Sequence, residues 1–148
     1  MSVVTIRPAT SDDAPALATV HVRSWQWAYR GQVPDAYLEQ LGQTLSERIR
    51  ARRTQLEHLP SDYRYWVAEQ AGQVVGFATT RPSEDHDAAS LTGEVLALYL
   101  DPEAVGQGIG RVLFQHAVAD FRQRGFRQAT LWVLESNEHA LRFYEAAG

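Results

Sequence analysis

A chain of 148 residues, 45% of them hydrophobic, is long enough to bury a core without disulfide or metal staples. It has no cysteine, which excludes disulfides, zinc–thiolate sites and thiol nucleophiles. A net charge of −4 argues against nucleic acid and for cationic partners.

No apolar run approaches membrane-spanning length, and the opening "MSVVTIRPAT" lacks the apolar stretch of a signal peptide. The expectation is a soluble, cytoplasmic protein with no membrane or nucleic-acid partner, forming a single domain over residues 1–148.

A first strand is predicted over residues 3–7, ended by Pro8. The helix that follows has Ser11 as N-cap, Asp12 and Asp13 in its first turn, and Pro15 early enough to be tolerated. Leu17, Val20, Ser24 and Ala28 form its core stripe, flanked by His21 and Trp25. Trp25 and Tyr29 share a face that could wall a ligand pocket, although large aromatics at this spacing read first as core, and Trp25 is read so. Gly31 and Pro34 break the pattern. A second helical region spans residues 34–59, interrupted near Gly42.

"YRYWVAEQ" and "QVVGFATTR" flank Ala71 and Gly72 as a hairpin. A polar loop opens at Pro82. Then come a strand over residues 93–100, a helix over 108–124 stopped by Gly125, a strand over 129–134, and a last helix from Asn137. The order β-α-α-β-β-β-α-β-α is that of an α/β domain with a mixed sheet.

Between strand and helix lies "VGQGIG", which puts Gly106, Gly108 and Gly110 on alternate positions. A glycine-rich turn from strand into helix aims free backbone N–H groups and the helix dipole at one point, which makes an anion site. The plain alternative is a tight turn needing positive φ, for which three glycines in five residues are more than required. A Walker loop would end in Gly-Lys-Ser/Thr, and Arg111-Val112 does not. A dinucleotide fingerprint would place its third glycine at Val112; Glu135 could imitate its ribose-binding acid, but too few residues follow for a doubly wound sheet.

The last helix places Asn137, Ala140, Leu141 and Tyr144 on one face. As a helix opener, Asn137 is also a sufficient N-cap, and Tyr144 on this pattern is equally a half-buried core residue.

Residues 91–148, with "VGQGIG" and then "LWVLESNEHALRFYEAAG", resemble the acetyl-CoA-binding half of the GCN5-related N-acetyltransferases (GNAT). The opening "TIRPATSDDAPALATVHVRSW" is also similar to theirs. The resemblance implies a mixed, mostly antiparallel central sheet flanked by helices, acetyl-CoA as co-substrate, and no metal. It implies pyrophosphate contacts at Gly106, Gln107, Gly108, Ile109, Gly110 and Arg111. Leu98, Tyr99 and Leu100 would pair through their backbone with the pantetheine arm, and the Leu98 amide would serve the thioester oxygen. Asn137 would bond the cofactor arm, with Ala140 on the same face, and Tyr144 would protonate the leaving thiolate. One departure is Val105, which stands where the family signature has Arg or Gln; since backbone amides make most contacts there, binding should weaken rather than vanish.

Amine acetylation also requires a base. The resemblance points to Glu94 acting through a water. Strand alternation puts Glu94, Leu96 and Leu98 on one face, and a solvated strand-end charge is the competing reading. Glu84, Asp85 and His86 are weaker candidates, while His116 and His139 are read as facing solvent. Asp35, Glu84, Asp85 and Asp87 could draw a cationic amine.

Family members continue past the position of Gly148 into a final β-hairpin. Its absence here implies a shortened chain or a hairpin supplied by a partner, for which a homodimer is one arrangement. The resulting expectation is an N-acetyltransferase acting on a small-molecule or peptide primary amine. The alternative is a non-catalytic acyl-CoA-binding or sensing module of the same fold.

Overall fold

The computed structural model describes residues 3–28, 31, 34–82, 92–126 and 128–131. In chain order these form β1 (Val4–Pro8), a 3-10 turn (Ser11–Asp13), α1 (Ala14–Ala28), α2 (Asp35–Gln43) and α3 (Leu45–Glu57). There follow β2 (Arg64–Gln70), β3 (Gln73–Pro82), β4 (Thr92–Leu100), a second 3-10 turn (Pro102–Ala104), α4 (Ile109–Gln123) and β5 (Gln128–Leu131).

The five strands lie in sequence order in one sheet. The first four pair antiparallel, and β5 joins β4 in parallel. That change of direction requires a crossover, which α4 supplies. The expected mixed, mostly antiparallel sheet flanked by helices is what the chain forms. Residues 132–134 and the helix from Asn137 lie outside the described residues.

The sheet has two differently covered faces. On one, Trp66, Ala68, Ala78 and Leu98 pack with Ile109, Leu113 and Ala117 of α4, while Val95 packs with Phe114 and Phe121. Gly93 allows this closeness, because a Cβ there would stand 2.6 Å from the Phe121 ring. On the other face, Tyr65, Val67 and Phe77 pack with Leu17 and Val20 of α1 and Leu56 of α3.

Three expectations need correction. Ser11 does not cap α1: it begins a 3-10 turn capped by Thr10. The cause is the buried Asp13, whose carboxylate accepts the Thr10 N–H at 2.8 Å and a fork from Arg7 at 2.7 and 2.8 Å. The interruption expected near Gly42 is found, at Thr44 between α2 and α3.

His116 does not face solvent freely; its ring packs edge-on against Trp66 at 4.4 Å. Finally, Glu94 does not share a face with Leu98. Thr79 pairs with Ala97 but Thr80 pairs with Val95, so Leu96 is an extra residue in β4 and the alternation shifts there. Glu94, Ala97 and Tyr99 therefore face α1 and α3, and Val95, Leu98 and Leu100 face α4.

Candidate active site

The glycine turn follows from backbone geometry. Gly106 and Gly108 have φ of +87° and +80°, a region that penalises any side chain. A Cβ on either would meet nothing within 4 Å, so the space before the turn is open. Gly110 is already buried in the first turn of α4. Turn geometry thus accounts for Gly106 and Gly108, and the case for an anion rests on the amides instead. Gly108 caps α4 without a side chain, and the first helical bond runs from the Val112 N–H to the Gly108 carbonyl at 3.2 Å. The amides of Ile109, Gly110 and Arg111 consequently have no acceptor within the helix, and the helix dipole adds partial positive charge.

Around this turn the side chains are tied back. Gln107 donates to the Glu103 carbonyl at 3.1 Å and accepts from Gln70 at 3.3 Å. Asp101 opens the preceding 3-10 turn by accepting the Glu103 N–H, and it pairs with Arg23 at 2.7 Å. Val105 is half-buried, and its amide is turned to the Pro102 carbonyl at 3.4 Å. Arg111 is exposed at the mouth of the turn.

In β4, pairing with β5 covers Thr92 to Val95. Leu98, Tyr99 and Leu100 have no registered neighbour on that side among the described residues. The extra residue Leu96 sits where this pairing stops. Glu94 is buried, which removes the reading of a solvated strand-end charge. Its Oε2 accepts from Arg81 Nε at 3.2 Å, and Arg81 in turn donates to the Tyr63 hydroxyl at 3.2 Å.

Beside Tyr99, on the same face, His21 stacks on the tyrosine ring with centroids 4.7 Å apart. Arg52 Nη2 lies 2.8 Å from His21 Nδ1, its other nitrogen donates to the Tyr65 hydroxyl, and its guanidinium lies 5.3 Å from the Phe77 ring centre. Burial, then the positive charges of Arg52 and Arg48, lower the His21 pKa to about 4. The imidazole is therefore neutral at physiological pH, and its Nδ1 accepts from the guanidinium.

Next to this cluster a cavity of about 180 Å³ is lined by His21, Val22, Trp25, Tyr37 and Arg48. Trp25 is thus half-buried against a cavity rather than plain core. Tyr37, Arg48 and Arg52 were not singled out in the sequence. The available signal was the arginine pair at i and i+4 on a helix otherwise rich in polar residues, which also fits a solvated face.

Of the other expected residues, Tyr29, Glu84, Asp85, His86, Asp87, Asn137, His139, Ala140 and Tyr144 lie outside the described residues. Asp35 is exposed in the first turn of α2. Among the described residues, no group of acidic or histidine side chains is arranged to hold a metal ion, and no helix is long and apolar enough to cross a membrane.

Comparison with known proteins agrees with this geometry. The profile of the acetyltransferase (GNAT) family matches residues 20–148. The uncharacterized N-acetyltransferase YuaI of Bacillus subtilis is 31% identical over 145 residues, which cover 97% of this chain and 79% of that protein. A mycothiol acetyltransferase of Thermobispora bispora is 40% identical over 85 residues, covering 57% of this chain and 29% of that larger protein. Among solved structures, PaiA N-acetyltransferase of Thermoplasma acidophilum in complex with coenzyme A superposes with a TM-score of 0.78 at 24% identity, covering 99% of this chain and 89% of that one. An N-acetyltransferase of Staphylococcus aureus Mu50 gives 0.71 at 26% identity, covering 98% and 82%. The chain belongs to the acetyltransferase (GNAT) family, and its reaction class is acyl transfer.

Proposed function

We propose that this protein moves an acetyl group from acetyl-CoA to a primary amine by direct attack of the amine on the thioester. The observation that carries the reading is the turn after β4. There the amides of Ile109, Gly110 and Arg111 converge on open space beside two positive-φ glycines. Such a site suits a pyrophosphate, and PaiA N-acetyltransferase, of the same fold, was solved with coenzyme A.

From the turn, the pantetheine arm would run back along β4, where the strand edge from Leu98 to Leu100 offers backbone groups to an extended ligand. The thioester would then lie near Glu94 and Ala97. In the transfer, the amine nitrogen forms a bond to the carbonyl carbon as the C–S bond breaks. One proton must leave the substrate ammonium, and one must reach the departing thiolate. Glu94 takes the first role, through a water, because it is the buried carboxylate of β4, on the face toward α1 and α3. Tyr144 takes the second, on the strength of its place in the family motif.

An assay of thiol release from acetyl-CoA across polyamines, amino acids, aminoglycosides and peptide N-termini tests the reading. Release above the amine-free background with at least one class is the expected result. Acetyl-CoA binding without turnover on any amine would overturn it and leave an acyl-CoA-binding module.

A further inference from the structure

On the face of the sheet away from α4, the cavity lined by His21, Trp25, Tyr37 and Arg48 carries charge of one sign. Arg48 and Arg52 stand at i and i+4 on α3 and so share a helix side. Arg48 Nε donates only to the Thr44 hydroxyl, at 3.1 Å, and Arg52 is held by the Tyr65 hydroxyl and His21. Among the described residues neither meets a carboxylate.

The other arginines among the described residues are placed differently. Arg7, Arg23, Arg64, Arg81 and Arg124 each lie within 4.0 Å of an Asp or Glu. Arg50, Arg53, Arg111 and Arg122 are exposed. Arg48 and Arg52 are thus the half-buried arginines without a counter-charge among the described residues. Half-burial of two neighbouring cations is unfavourable unless an anion joins them. The neutral His21 relieves part of the repulsion but supplies no negative charge.

We infer that this cavity receives the far end of the acceptor, and that the acceptor is a primary amine carrying a carboxylate. A guanidinium fork matches a carboxylate in plane, and the Nη groups of Arg48 are the free fork here. Trp25 and Tyr37 provide apolar wall for a short aliphatic stem. Tyr99, stacked on His21, connects the cavity to the strand that carries Glu94. The proposal rests on the amine-acetylation reading.

Short ω-amino acids, each matched with the alkylamine and the diamine of equal length, provide the test. Thiol release gives kcat/KM for each, and calorimetry on the CoA-loaded protein gives binding of the same probes. The wild-type protein should favour the amino carboxylate in both. Arg48→Glu should lower that preference roughly 10- to 100-fold, as for loss of a hydrogen bond to a charged group. Arg48→Lys should recover part of it. Arg53→Glu, an equal charge change on the exposed side of the same helix, should leave it unaltered. Arg48→Met serves the same purpose should the Glu variant not fold.

Preference for the diamine, or unchanged carboxylate binding in the Arg48 variants, overturns the inference. So does the absence of carboxylate binding in the wild type. Arg48-dependent carboxylate binding without thiol release supports the cavity assignment while refuting amine acetylation, and turnover that favours the diamine does the reverse.

Discussion

Replacing Gly108 tests the phosphate turn cleanly, because the structure separates the cost to folding from the cost to binding. At φ of +80° any side chain is strained, by about 1–2 kcal/mol. A Cβ meets nothing within 4 Å, so no clash is added. For a chain of this size that strain lowers Tm by about 2–8 °C, and both Gly108→Ala and Gly108→Glu should remain folded. The same empty space is where a pyrophosphate would approach the amides of Ile109 to Arg111. A carboxylate about 5 Å from a phosphate charge costs about 1–3 kcal/mol at effective dielectric constants of about 80 to 20, or roughly 5- to 150-fold in affinity.

The two phosphates, and the steric bulk of the glutamate, enlarge that loss. Calorimetry with acetyl-CoA and with pantetheine, at low and high salt, reads the effect. Gly108→Glu should lose acetyl-CoA binding, recover part of it as salt rises, and keep whatever affinity the protein has for pantetheine. A folded Gly108→Glu variant with wild-type affinity, or one weakened equally toward pantetheine, would refute the reasoning.

Glu94→Gln should lower turnover by about 10²-fold or more, most severely at low pH where the amine is fully protonated, with acetyl-CoA affinity little changed. Wild-type turnover in that variant would reduce Glu94 to a structural partner of Arg81. Gly93→Ala should destabilise the protein by about 1–3 kcal/mol in urea unfolding, since its methyl would meet the Phe121 ring at 2.6 Å. A melting point equal to wild type would show that β4 and α4 separate easily. His21 has its pKa lowered to about 4 in the folded state against about 6.5 unfolded. The unfolded chain therefore binds more protons between those values, and this residue's contribution falls as pH drops from about 6.5 toward about 4. His21→Gln should flatten that part of the stability profile, and an NMR titration of the His21 ring near pH 6.5 would contradict it.

What the sequence by itself determined was the order of the described elements and the place of the glycine turn. Apolar spacing and breakers such as Gly31, Pro34 and Gly125 act within a few residues, so strands and helices were legible almost to their ends. The pair Ala71 and Gly72 could be read as a hairpin for the same reason, and both adopt positive φ.

Tertiary structure alone decided which side chains meet. The extra residue Leu96 exists only through the pairing of β4 with β3, and it carries Glu94 to the face of Tyr99 instead of that of Leu98. Asp13 moved the start of the first helix because Arg7, six residues earlier, reaches it from β1. The meeting of His21, Arg48, Arg52 and Tyr99 joins three elements distant in sequence, and periodicity within one helix holds no information about partners on another. That Arg48 and Arg52 meet no carboxylate among the described residues shows only once the elements are packed together, which folding decides and composition cannot.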